Sequence, residues 1–277
     1  MVTIPTWIDP MVKPLKAAVS QKIDQKIRAY TETVPISEFL PEDDVFIVGY
    51  PKSGNSWFQN LITGLVYGVN PAQAPDAIVQ DLVPDIHYKR YYRRYSTPMF
   101  FKSHLPPQPT YRKVIYLLRD GRDVMVSYYR FLQALRSSKN ESVDFLHMVK
   151  TGEGLFQNRK WHDQVEAWLK NPHQADTITV RYEDMLERPV DELERVCEFI
   201  HFEASRDVLE QVTAAASFQS LRKKEEKFGL NNPGWPKDKF FNRRGKAGSY
   251  KDEMPKEVLE AFMEEAGETL EKVGYEV

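Results

Sequence analysis

Val45-Phe46-Ile47-Val48-Gly49-Tyr50-Pro51-Lys52-Ser53-Gly54-Asn55-Ser56-Trp57 is the stretch whose reading decides the fold. Its first residues are β-branched or aromatic and show no alternation, as a strand covered on both faces would be. Pro51 and Gly54 then punctuate a turn, and helical periodicity follows over 56–68. The spacing from Gly49 to Ser56 is that of G-x-x-x-x-G-K-[ST], a strand, turn and helix in which backbone N–H groups and the helix N-terminus hold phosphate oxygens. One departure is informative. Where a nucleoside triphosphatase has lysine after the second glycine this chain has Asn55, and its lysine lies earlier, at Lys52. A lysine inside the turn meets the terminal group of a 5'-linked anion, where charge develops on a bridging oxygen as a bond breaks. An ordinary strand-to-helix turn is the alternative; the Gly, Lys and Ser content after a buried strand weighs against it.

Working outward, three further apolar runs, 99–102, 113–118 and 177–181, read as covered strands. Helical periodicity occupies 121–137, 156–170, 189–200 and 255–272. Strands alternating with helices make βαβ units, so the expected fold is α/β, a single-domain P-loop-like arrangement with a central parallel sheet flanked by helices. Ligands of such sheets sit beyond the carboxyl ends of the strands, which is where chemistry is sought. The expected division is an N-terminal helical segment over 1–35 and one domain over 36–277. Within the first segment Val12, Leu15, Val19, Ile23 and Ile27 recur at helical spacing, with Lys13, Lys16, Lys22, Lys26 and Arg28 on the rest of the surface; a docked helix with a solvated face is favoured over a membrane-surface helix.

Composition bounds the function. Thirty-eight Lys and Arg against 40 Asp and Glu leave a formal charge of −2, so nothing draws the whole molecule to nucleic acid or anionic lipid, and any anion site is local. Hydrophobic residues at 42% supply a full core. The single cysteine, Cys197, forms no internal disulfide, fits a reducing compartment and reads as a core position of an amphipathic helix. No apolar run suits a signal peptide or a membrane span, which makes the cytoplasm the expected compartment and a membrane an unexpected partner.

Three more constellations follow strands. Lys102-Ser103-His104-Leu105-Pro106-Pro107 places a lysine and a histidine on a proline-limited loop; a histidine with an unperturbed pKa of ~6.5 suits removal of a proton from an attacking hydroxyl or amine. His87, His147, His162, His173 and His201 have no such context. Arg119 stands at the carboxyl edge of the 113–118 strand and Ser127 lies two helical turns onward; Arg119 offers a planar fork to a phosphate, or pairs with Asp120 or Asp123. Near the C-terminus, Arg243-Arg244-Gly245-Lys246 crowds cations around glycine.

Together these segments resemble those of the PAPS-dependent cytosolic sulfotransferases, where PAPS is 3'-phosphoadenosine 5'-phosphosulfate. Residues 50–57 are similar to that family's phosphosulfate loop YPKSGTTW, with Asn55 and Ser56 in place of two threonines. Residues 102–106 resemble K-T-H-L-P, Arg119 and Ser127 match R-(x)7-S-Y-Y, Tyr182-Glu183-Asp184 matches Y-E-D, and 243–251 resembles R-K-G-x-x-G-D-W-K with Ser249 and Tyr250 replacing aspartate and tryptophan. The resemblance runs from about residue 40 to the end and implies a site. Lys52, Ser53, Gly54, Asn55 and Ser56 would take the 5' side of PAPS. Trp57, Tyr182 and Phe218 would contact the adenine, and Arg119, Ser127, Arg243, Arg244 and Gly245 the 3'-phosphate. His104 would be the base, Lys52 would face the leaving oxygen and Lys102 the sulfuryl oxygens. PAP, adenosine 3',5'-bisphosphate, would be the product. The chain has no persuasive metal motif, so none is expected.

By the same resemblance the acceptor loops correspond to 70–97, 133–160 and 222–242, and the short, cytosolic-like chain implies a small-molecule acceptor carrying a hydroxyl or an amine or guanidine nitrogen. Tyr88-Lys89-Arg90-Tyr91-Tyr92-Arg93-Arg94-Tyr95 interleaves cations and aromatics, while Asp76, Asp81 and Asp85 lie nearby, so the acceptor's charge is undecided. Two rival readings are a P-loop kinase, disfavoured by Asn55 and the lack of a metal carboxylate, and a nucleic-acid binder using 88–95, disfavoured by the net charge. The family's K-T-V-E dimerisation segment is absent, leaving the oligomeric state open.

Overall fold

The computed structural model describes residues 22–23, 25–26, 31–137, 142–230, 232 and 234–277. Most of the helical segment expected over 1–35 lies outside the described residues. At its end Val34–Pro35 is a strand, β1, paired antiparallel with β3 at Tyr91–Tyr92.

The main sheet consists of β2 (Val45–Gly49), β4 (Phe100–Ser103), β5 (Lys113–Leu118) and β6 (Asp176–Arg181). All pairings are parallel, in the order β4-β2-β5-β6. Because successive residues of a strand point to opposite faces, Phe46 and Val48 join one core while Val45 and Ile47 join the other. The first core takes in Val124 of α3 (Gly121–Ser137), Trp161 and Val165 of α5 (Trp161–Lys170) and Phe262 of α11 (Lys256–Lys272). The second takes in Leu61 and Ile62 of α1 (Asn55–Tyr67), Leu193 and Val196 of α7 (Pro189–Ile200) and Leu209 of α8 (Arg206–Ala215). Cys197 is buried in that second core and unpaired. The four runs chosen from sequence are the four strands of this sheet. β6 differs from the expectation of full cover: it forms an edge, and only Val180 along it is buried.

Shorter helices fill the connections: α2 (Asp76–Leu82), α4 (Phe145–Thr151), α6 (Tyr182–Glu187), α9 (Phe218–Phe228) and α10 (Tyr250–Glu253). The helix expected from 156 starts at Trp161, because Gln157 and Asn158 adopt left-handed backbone that a helix cannot continue through. Asp44 pins the start of the sheet. Its buried carboxylate takes two bonds of 2.8 Å from Arg94, and accepts from the N–H groups of Leu40 and Met99.

Candidate active site

Loops at the carboxyl ends of β2, β4, β5 and β6 surround a cavity of about 680 Å³. Every site residue expected from sequence lines it except Ser53. The Ser53 side chain is buried, without a partner for its hydroxyl, and its N–H is committed to the Tyr50 carbonyl at 3.1 Å.

The turn after β2 is shaped by local constraints. Gly54 caps α1 with φ 95°, and a Cβ there would stand 2.9 Å from the Tyr182 ring, so only glycine fits beneath that tyrosine. Asn55 donates to the Tyr50 carbonyl at 2.9 Å, tying the turn together, while its Oδ1 has no partner. Lys52 has φ 76°, and its ammonium lies over the faces of Phe241 at 3.8 Å and Phe131 at 4.7 Å. Burial, then the neighbouring cations Arg119, Lys102 and Arg243, lower its pKa to about 7, with Glu225 opposing.

The carboxyl end of β4 carries two further groups. Lys102 is paired at 2.8 Å with Asp85, whose side chain is 0% exposed, and its Nζ is 3.5 Å from the Ser56 hydroxyl. His104 Nδ1 donates to the Gly49 carbonyl at 2.7 Å, which leaves Nε2 of the neutral ring unprotonated. Burial first, and Lys102 next, push the imidazole pKa down to about 3, so the ring is neutral around pH 7. His87, which belongs to none of the sequence motifs, lines the same cavity and accepts from the His104 backbone N–H at 2.9 Å.

On the opposite flank of the turn, Arg119 donates to the Lys52 carbonyl at 3.1 Å and to the Lys246 carbonyl at 3.3 Å, and its guanidinium lies 4.1 Å from the centre of the Tyr182 ring. Of its two candidate partners it pairs with Asp123, while Asp120 takes Arg122. Asp123 also accepts from the N–H groups of Gly248 and Tyr250 at 2.8 and 2.9 Å, clamping the C-terminal loop to α3. Trp57 meets Tyr182 edge-on at 5.6 Å. Phe218 lies against Gly245, where φ is 61° and a Cβ would come within 2.3 Å of the ring. Arg243 and Arg244 both reach Glu253, the former at 2.7 Å, and Arg130 joins them at 3.2 Å.

The arrangement is a phosphate-type turn flanked by arginines on one side and by a neutral imidazole beside a lysine on the other. A sequence model of the family described as "Sulfotransferase domain" matches residues 42–274. The chain belongs to this sulfotransferase family. Among curated relatives of this sulfotransferase, Sulfotransferase 1E1 of Mus musculus is 25% identical over 268 residues, covering 87% of this chain and 88% of the relative. Among solved structures, mouse sulfotransferase SULT7A1 complexed with PAP superposes with a TM-score of 0.62 at 20% identity, covering 85% of this chain and 87% of that one. Retinol dehydratase in complex with androsterone and the inactive cofactor PAP gives 0.67 at 19% identity, covering 87% and 84%.

The segments expected to form the acceptor side of this sulfotransferase contribute unequally. Asp76, Val79, Gln80, His87, Tyr88 and Lys89 line the cavity from 70–97, whereas 133–160 supplies Phe156. From 222–242 come Lys224, Glu225, Leu230 and Phe241, among others. Lys224 is buried, bonded to Asn60 at 2.6 Å and paired with Asp76 at 3.3 Å. Glu225 accepts from the N–H groups of Phe241 and Asn242, which holds the Phe241 ring over Lys52. Part of the 88–95 run serves packing: Tyr92 is buried and Arg94 clamps Asp44, whereas Tyr88 and Tyr95 are exposed. No helix among the described residues is long and apolar enough to cross a membrane, and no group of three His, Cys, Asp or Glu among them is placed to hold a metal ion.

Proposed function

We propose that this sulfotransferase moves the sulfuryl group of PAPS to a hydroxyl or an amine or guanidine nitrogen of a small-molecule acceptor in the cytoplasm, releasing PAP, without a metal. The observation that carries the reading is that one cavity holds Lys52, Lys102 and His104 together with Arg119, Ser127, Arg243, Arg244 and Gly245. Two buried donors on residues lining the cavity have no protein partner: Trp57 Nε1 and Arg119 Nε. With the cationic lining they fit a ligand rich in acceptors and negative charge. The fit is the one expected for adenosine phosphorylated at two positions, its base between Trp57, Tyr182 and Phe218.

PAPS supplies the sulfuryl group, and the residues here supply proton removal and charge neutralisation. His104 Nε2 takes the proton of the acceptor as the acceptor atom bonds to sulfur in line with the breaking bond to the bridging oxygen. The departing electron pair stays on the 5'-phosphate, where Lys52, released from its seat on Phe241, meets it. Lys102, held by Asp85, faces the sulfuryl oxygens. A pKa near 3 in the free protein keeps His104 unprotonated, and Asp85 acts in the direction that raises its basicity.

Labelled PAPS offered with alcohols, phenols, amines and guanidines, in the presence and absence of EDTA, tests the reading. Label transferred to an acceptor in both conditions is the expected result. Turnover that requires magnesium and a nucleoside triphosphate would favour the kinase reading instead.

A further inference from the structure

The cavity wall beside His104 contains a second histidine that the mechanism above does not use. Residues 84–88 run along the outer edge of β4 as a strap. The Lys102 N–H donates to the Pro84 carbonyl at 2.9 Å, the Ile86 N–H donates to the Lys102 carbonyl at 3.1 Å, and Asp85 and Lys102 form an isolated parallel bridge. From this strap Asp85 reaches Lys102 with one carboxylate oxygen and accepts from the His87 N–H with the other at 2.9 Å.

His87 is fixed at its backbone by Asp85 and points its ring at His104. Its Nε2 accepts from the His104 N–H at 2.9 Å, so that nitrogen carries no proton. The two imidazoles lie nearly parallel, 7° apart in plane with centroids at 5.5 Å, and Phe156 packs edge-on against both. At the other end of the same residue's backbone, Gln164 Nε2 donates to the His104 carbonyl at 2.7 Å. His104 is therefore held at its N–H, its carbonyl and its Nδ1, and Nε2 is the ring nitrogen left for an acceptor proton.

We propose that His87 is a positioning residue for His104: its unprotonated Nε2 anchors the His104 backbone, and its ring face sets the plane of the catalytic imidazole. This rests on the reading of His104 as the base. It assigns to the strap the work of carrying two supports, Asp85 for Lys102 and His87 for His104, into the site from one stretch of chain. A ring without an acceptor nitrogen cannot replace His87, whereas a side chain that offers an acceptor at the same reach can.

Amide hydrogen exchange and ¹⁵N-histidine spectra on three proteins test it: wild type, His87→Phe, which keeps a stacked ring but no acceptor, and His87→Gln, which keeps an acceptor. In wild type the His104 amide is protected and its ring is a single Nδ1–H tautomer. In His87→Phe the His104 amide exchanges about tenfold faster or more, and the ring signal shifts or broadens. PAP affinity, read by calorimetry, stays within about twofold, and His87→Gln restores amide protection. Exchange and spectra in His87→Phe matching wild type would overturn the proposal, as would a His87→Gln protein that behaves like His87→Phe. These readouts require no sulfuryl transfer, so a failed labelled-PAPS assay would refute the proposed activity and leave this test standing.

Discussion

The Gly49 carbonyl and His104 Nδ1 lie 2.7 Å apart, joining the last residue of β2 to the first residue beyond β4. These strands are parallel neighbours in the sheet, so their carboxyl ends meet side by side and the bond is a direct product of topology. It fixes which imidazole nitrogen carries the proton. His104→Ala is accordingly expected to lower turnover by about 10²- to 10⁴-fold while leaving PAP binding nearly unchanged. Steady-state kinetics beside calorimetry with PAP check this, and unaltered turnover would remove His104 from the reaction.

Lys52 is held at a pKa of about 7 in the free protein by burial and by the surrounding cations. A polyanion bound against it favours the charged form, so its pKa must rise on binding. At pH 8 the lysine is mostly neutral before binding and protonated afterwards, which requires proton uptake. Calorimetry of PAP binding at pH 8, in buffers of different ionisation enthalpy, should show uptake approaching one proton. In Lys52→Met most of that uptake should vanish.

Gly245 has φ 61°, and a Cβ there would meet the Phe218 ring at 2.3 Å. Gly245→Ala must displace either the loop or the aromatic wall expected to cover the adenine. The expected outcome is loss of PAP affinity by about tenfold or more. The melting temperature should be little altered, because the loop lies outside the two cores.

Arg130, Arg243 and Arg244 converge on Glu253, and Arg244 also reaches Asp252 at 4.0 Å, so the cluster holds more guanidinium groups than carboxylates, two of them lining the cavity. Arg243→Ala is expected to weaken PAP strongly and adenosine 5'-monophosphate little. Glu253→Gln, which loosens the same guanidinium groups while raising the positive charge around them, should change the ratio of the two affinities by a smaller factor. Titration of both nucleotides against each variant decides, and equal losses would contradict a 3'-phosphate role for this loop.

The sheet was legible because its strands are short apolar runs of β-branched and aromatic residues, and each run was located to within a residue or two. α3 and α7 were legible to the residue because long amphipathic periodicity survives local irregularity. The short helices α2, α4, α6 and α10 were not: four to seven residues make too few turns for a period to show. The longer helices α8 and α9 were also missed; in α9 the charged run Arg222-Lys223-Lys224-Glu225-Glu226-Lys227 breaks the apolar period although Lys224 and Glu225 are both buried.

Of the residues lining the cavity, those within contiguous motifs are visible from sequence, and those supplied across the fold are not. His87 lies 17 residues before the histidine it supports and belongs to no motif, so only the strap beside β4 reveals the pairing. Asp85 appeared from sequence as a possible contact for a cationic acceptor; it is instead the buried partner of Lys102. Ser53 is the converse case, sitting inside the motif with its side chain outside the cavity.

The central claim is that the cavity recognises adenosine carrying phosphates at both the 3' and 5' positions. Calorimetric titration of the protein with PAP and, separately, with ATP tests it most directly. PAP binding more tightly by about tenfold or more, without magnesium, is the predicted result. Equal affinities, or a preference for ATP, would contradict the account.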